Sequence, residues 1–207
     1  MFTNRVEAGQ RLAEALIRFK DEACVIYAIP RGGVVLGAEI AEKLEKPLDL
    51  IITRKVGHPS NPEYAVCVVA EDGHEMCNQE EIGSIDKGWL AEAKEKERQE
   101  AKRRRLTYLG SKEPISAEGK TAIVVDDGIA TGMTFLMAVK EVKHHNPAKI
   151  VAAVPVMPAD FEDILRKEVD EIVCLDIDPY YEGAVGAYYG DFPQVTDEQV
   201  KKLMGEI

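Results

Sequence analysis

The chain has 207 residues, 45% of them hydrophobic, and its 26 Lys plus Arg against 37 Asp plus Glu give a formal charge of −11. That length can build one good-sized core. The acidic balance excludes a nonspecific binder of nucleic acid or anionic membrane, so an anionic ligand must be gripped by a local cluster of donors.

No apolar run reaches the length of a membrane span, and MFTNRVEAGQ at the start lacks a secretory pattern. The four cysteines form no CxxC pair. Cys24, Cys67 and Cys174 lie in apolar runs and read as small buried thiols. A zinc site built from Cys67, Cys77 and His74 has no standard spacing. A reducing cytoplasm is the expected setting.

In chain order, Asn4 and Glu7 fit a capping box. Apolar positions from Val6 to Ile17 then recur at helical spacing to about Phe19. Cys24 to Ile29 is a short apolar run, hence a buried strand. Pro30-Arg31-Gly32-Gly33 follows, and Val34 to Leu44 reads as a helix. Gly32 and Gly33 permit close approach of a ligand to the backbone; their N–H groups, with Arg31, could hold an anion, and a plain strand-to-helix turn is the other reading. Leu48 to Thr53 is the next strand, with Arg54 and Lys55 just beyond it. VGHPSNP begins as a loop, with His58 either exposed or touching a ligand. Tyr64 to Ala70 reads as a strand, Asp72-Gly73 as a hairpin turn and His74 to Cys77 as the return strand. Asp86 to Leu109 is a long polar helix. Its Lys102-Arg103-Arg104-Arg105 run, interleaved with Glu95, Glu97 and Glu100, reads as a solvated face or subunit contact rather than a nucleic-acid patch.

Thr121 to Thr134, TAIVVDDGIATGMT, organises the rest. Ala122 to Val125 read as a buried parallel strand ending at Asp126 and Asp127. Gly128, Ile129, Ala130, Thr131 and Gly132 form a small-residue loop, and Phe135, Leu136, Val139 and Val142 mark a helix. Free amides at the loop and helix start suit a phosphate dianion. Thr131 and Thr134 add hydroxyls, and the two carboxylates can accept from vicinal sugar hydroxyls. Ile150 to Val156 is another strand, near its end or at an edge by reason of Pro155. Phe161 to Val169 is a helix, Glu171 to Leu175 the last core strand, and Thr196 caps a final helix to Leu203. The alternation predicts an α/β fold with a mostly parallel twisted sheet flanked by helices, ligands binding at the strands' carboxyl ends.

The stretch from Thr121 to Thr134 resembles the PRPP-binding motif of type I phosphoribosyltransferases: apolar run, two acids, then a T-G-x-T-like turn. IPRGG looks like that family's pyrophosphate loop, where a strained or cis non-proline peptide is expected near Arg31–Gly32. The resemblance covers nearly the whole chain as one domain, residues 1–207, with a flexible-loop hairpin, a helical insertion at about 86–110 and a C-terminal hood at about 176–192. It implies PRPP with Mg²⁺, transfer of ribose 5-phosphate to a base acceptor and release of pyrophosphate. By position, Arg31 and Lys55, and with them Arg54, match the cationic pyrophosphate contacts. Asp126 and Asp127 match the ribose contacts, touching Mg²⁺ only through ribose or water. Gly128 to Gly132 with Thr134 match the 5-phosphate cradle. Tyr180 or Tyr181 in the hood would stack on the acceptor, packing on the core being the other reading. In 6-oxopurine members a third aspartate occupies the position of Ala130, so DDGIATG looks closer to members using other bases. A dimer is common in the family. A non-catalytic PRPP or nucleotide sensor is the alternative; a metal-dependent hydrolase would leave the GIATGMT cradle unexplained.

Overall fold

The computed structural model describes residues 1–205. Helix α1, Arg5–Ala15, is capped by the Asn4 side chain accepting from the Glu7 amide, as the capping box predicts. It stops four residues short of the expected end, and a 3₁₀ turn, Ile17–Phe19, completes the stretch. Strand β1, Cys24–Ala28, helix α2, Gly32–Leu44, and strand β2, Leu48–Leu50, follow.

The chain then leaves the main sheet. Strands β3, Thr53–His58, β4, Asn61–Ala70, and β5, Glu75–Cys77, form a separate antiparallel sheet. The expected loop at Val56 to Pro62 is therefore mostly strand. The reason lies at Gly57: a Cβ there would sit 2.1 Å from the Pro62 carbonyl oxygen, so only glycine allows the two strands to approach. Register shifts on both sides of Gly57 accommodate Pro62, and Pro59 sits in the turn between the strands. Lys55 and Arg54 accordingly lie inside β3 and not beyond the end of a core strand.

Cys67 and Cys77 face each other across β4 and β5, Cα to Cα 4.0 Å, and are joined by a disulfide. The reading of Cys67 as a free thiol is corrected, and no zinc site can use these two sulfurs. The pairing comes from cross-strand register, which residue spacing does not reveal.

After a short helix α3, Gln79–Ile82, comes α4, Lys87–Leu109. The three arginines of its basic run are held in ion pairs. Arg103 and Arg104 pair with Glu100, and the largely buried Arg105 reaches Asp49 and Glu71. The last part alternates: β6, Thr121–Val125, α5, Met133–Lys143, β7, Lys149–Pro158, α6, Ala159–Leu165, β8, Glu171–Asp178, and α7, Asp197–Gly205. Among the described residues, no helix is long and apolar enough to cross a membrane.

The main sheet has the order β2-β1-β6-β7-β8 and every pair is parallel. Both faces are buried, which is why its strands read as unbroken apolar runs. Ile26, Ala28, Ile123 and Val125 point towards Leu12, Leu36 and Ile40 of α1 and α2. Val25, Tyr27, Ala122 and Val124 point towards Phe135, Val139 and Phe161 of α5 and α6. Pro155 lies inside β7, three residues from its end. It is tolerated because the β6 ladder stops at Ala153 and β8 pairing skips position 155.

Strand order reverses at β1. The chain moves from β1 outward to β2, then returns to the other side of β1 as β6. Ligand crevices form at such switch points, beyond the carboxyl ends of the strands. The register Ala28↔Val125 brings the loops after β1 and β6 side by side there.

Candidate active site

The loop after β1 turns at a cis peptide between Pro30 and Arg31, one bond before the expected position. Ile29 donates its amide to the Val125 carbonyl at 2.9 Å, tying this loop to the end of β6. A Cβ on Gly32 would lie 1.8 Å from Asp127 Oδ2, and one on Gly33 would lie 2.8 Å from the Val125 carbonyl oxygen. The glycines thus let one loop pack directly onto the acidic pair of the other.

Asp126 turns back to accept the Asp127 amide on Oδ1 at 2.8 Å. Asp127 is held by a residue that motif reading missed. Arg5, at the start of α1, donates Nε to Asp127 Oδ2 at 2.7 Å and Nη1 to the Pro193 carbonyl at 2.6 Å. Its guanidinium also stacks 3.6 Å from the Phe192 ring centroid. No sequence signal joins residues 122 positions apart. Tyr189 donates its hydroxyl to the Asp127 carbonyl at 2.6 Å, a second contact missed for the same reason. Burial, then the Asp127 charge, push the Asp126 carboxyl well above the ordinary range. Burial also raises Asp127, with Arg5 opposing. Both side chains keep some solvent contact at the cavity mouth, so a ligand can reach them.

The loop from Gly128 to Gly132 leads into α5. Gly132 adopts φ 77° at the N-cap and no side chain caps the helix. A Cβ there would meet the Phe161 ring at 2.0 Å. The amides of Gly128, Ala130, Thr131 and Gly132 make no hydrogen bond within the described residues. Ile129 is different: it donates to the Val156 carbonyl at 2.9 Å and its side chain is buried, so its amide anchors the loop and is not a ligand donor. Four amides remain at the positive end of α5.

These groups line one cavity of about 260 Å³, with Arg31, Gly32, Lys55, Asp126, Asp127, Gly128 to Gly132, Thr134 and Val185 in its wall. Lys55 reaches it from β3, exposed and without an ion pair among the described residues. Arg31 is half-exposed, 3.4 Å from Asp197, which Tyr108 also holds. Gly33 lies buried just behind the wall. Arg54 does not reach the cavity: it pairs with Glu97 of α4 at 2.8 Å. Successive strand residues point to opposite faces, so Lys55 and Arg54 could not both serve one site.

A second cavity, about 590 Å³, adjoins the first and shares Ala130 and Thr131 with it. Pro158, Asp160, Tyr180 and Tyr181 form its far side. Tyr180 is 88% exposed, a free ring. Tyr181 is stacked on Tyr188, centroids 5.3 Å apart, and its buried hydroxyl has no partner. The cleft between α1 and α2, about 570 Å³, offers nothing comparable. Its Lys43 and Gln10 are already bonded to Glu14 and Glu39.

The sequence model of the phosphoribosyl transferase domain matches residues 3–189. The chain belongs to that family. A Mycobacterium tuberculosis protein provisionally named a phosphoribosyl transferase is 35% identical over 202 residues, 97% of this chain and 45% of that protein. The chain therefore spans less than half the length of this curated relative. The crystal structure of TT1426 from Thermus thermophilus superposes with a TM-score of 0.83 at 36% identity, covering 100% of this chain and 98% of that one. The parallel five-stranded sheet of this phosphoribosyl transferase fold is thus shared with a solved relative along its whole length.

Proposed function

We propose that this phosphoribosyl transferase domain uses PRPP, with Mg²⁺, to transfer ribose 5-phosphate to a nitrogenous base and release pyrophosphate. The observation that carries the proposal is the meeting, in one cavity, of four unbonded loop amides with an acidic pair and two cations. A sugar carrying a phosphate at one end and a pyrophosphate at the other needs this distribution of charge.

The four amides and Thr131 and Thr134 grip the 5-phosphate. Asp126 and Asp127 accept from the ribose hydroxyls, with Arg5 and the Asp127 amide fixing both carboxylates beforehand. Arg31, Lys55 and the Gly32 amide draw off the developing charge on the pyrophosphate. The C1–O bond breaks with its electron pair leaving on pyrophosphate, and the base nitrogen's lone pair forms the C1–N bond. Its surplus proton passes to solvent. The oxocarbenium-like character expected at C1 is favoured by the nearby carboxylates. Hard oxygen donors suit Mg²⁺, and water and substrate oxygens would hold it, with Asp126 and Asp127 reaching it through ribose or water. When bound, the ion neutralises pyrophosphate charge. The second cavity, floored by Ala130 and Thr131 and edged by Tyr180, is the position for the acceptor. A stacked base would bury one face on the Tyr180 ring.

Pyrophosphate release from PRPP against a panel of bases tests the proposal. Turnover on at least one base is expected. Lys55→Ala should lower kcat roughly 10²-fold or more, with PRPP affinity less affected. A chain that binds PRPP but turns over with no base would favour the sensor alternative. One that binds no PRPP would remove both readings.

A further inference from the structure

The β4–β5 turn rests on the last turn of α5, at the opposite end of that helix from the phosphate loop. Three side chains meet there. Asp72 Oδ2 lies 2.5 Å from His74 Nδ1, and Glu141 Oε2 lies 3.3 Å from the same nitrogen. One donor atom from each residue falls within 4.8 Å of the other two.

A ring nitrogen carries at most one proton, and here Asp72 accepts it. Glu141 Oε2 is then left facing an occupied donor. The residue is 7% exposed, yet that oxygen has no hydrogen-bond partner. The 3.3 Å approach is an ion-pair distance and does not satisfy it. A buried oxygen without a donor is costly, and more so when it is charged. Two carboxylates on one imidazole also leave surplus negative charge. Arg98, the guanidinium packed on this turn, bonds Glu95 and the Gly73 carbonyl instead. His144, three residues after Glu141, stacks flat on the His74 ring, centroids 3.7 Å apart and planes 6° apart, which fixes the direction of the His74 lone pairs.

We propose that Asp72, His74 and Glu141 form a binding site for a divalent first-row transition ion of the zinc class, clipping the β4–β5 turn to α5. One imidazole nitrogen with two carboxylates is a recognised donor set for such ions, and water completes the shell. The ion takes the place of the Nδ1 proton, which leaves to solvent. Both carboxylates gain a cation to face, and the orphaned oxygen gains a ligand bond. The helix rise separates this site from the phosphate loop by roughly 12 Å, so it is independent of the PRPP cavity.

Tag-free, metal-stripped protein titrated with Zn²⁺ by calorimetry, and with Co²⁺ by visible absorption, provides the test. One ion per chain is expected. His74→Ala and Glu141→Gln should each weaken binding at least about tenfold and abolish the cobalt absorption band. Zn²⁺ should also slow amide exchange across residues 70–77. Absence of stoichiometric binding at micromolar Zn²⁺, or binding unchanged in His74→Ala, overturns the proposal. His74 stands on an exposed turn, so that variant decides the matter even if the Glu141→Gln chain fails to fold.

Discussion

The two sheets solve the same problem by different means. The parallel sheet is buried on both faces and holds its reactive loops at the switch between β1 and β6. The antiparallel sheet is small and carries a modest core of Val56, Val66, Val69, Ile85 and Leu90. It adds a disulfide and ion pairs to α4, where Arg54 meets Glu97 and Lys94 meets Glu75. A large apolar core can carry a loop with buried charges; a small one needs staples. The cavity draws its acids and amides from the first sheet, which forms its floor, and its lysine from the second, which forms one wall.

The most disruptive way to probe this contrast is on the floor. Gly132→Ala forces a left-handed residue to carry a Cβ 2.0 Å from the Phe161 ring, and should cost about 3–5 kcal/mol. A single cooperative loss of midpoint in denaturant would show that the loop belongs to the main core. Arg5→Met comes next. It leaves Asp127 without its cation and should cost about 3 kcal/mol, with most of that recovered in Arg5→Met/Asp127→Asn, measured by the same denaturant melts.

The antiparallel sheet gives a smaller and more local answer. Replacing Cys67 and Cys77 by serine opens a loop with a sequence separation of 10. The expected loss is about 2–3 kcal/mol at most. It should surface as faster amide exchange in β4 and β5 while β1, β6 and β7 keep their protection.

The mildest test runs the other way. Asp126 sits above its unfolded pKa, so its stabilising share is present in acid and lost as pH rises through the raised value. Asp126→Asn removes that loss. The variant's melting temperature should exceed the parent's at neutral pH, the gap closing in acid, while ribose binding is lost. A gap independent of pH would mean that the carboxylate is not desolvated as described.

The contrast also explains what the sequence could convey. Strands β1, β6 and β7 are unbroken apolar runs because both faces are covered, and the acidic pair and glycine loop are contiguous, so floor and motif were legible. Arg5 and Tyr189 act on Asp127 across 122 and 62 positions, and nothing local marks them. The antiparallel sheet misleads for a different reason: Gly57, Pro59 and Pro62 all carry turn chemistry, yet only Pro59 lies in the turn, and register shifts let the strands include Gly57 and Pro62. Lys55 reached the cavity from inside a strand, whereas Arg54 beside it was turned away by the pleat. The Cys67–Cys77 bond depended on register, which composition does not encode.

Ala130 and Thr131 line both cavities, so one short stretch of loop is shared wall to the proposed donor and acceptor positions. Whatever narrows one chamber must intrude on the other. Variants selected for a bulkier acceptor should therefore change the far walls, at Asp160 or Tyr180, and leave that shared wall alone.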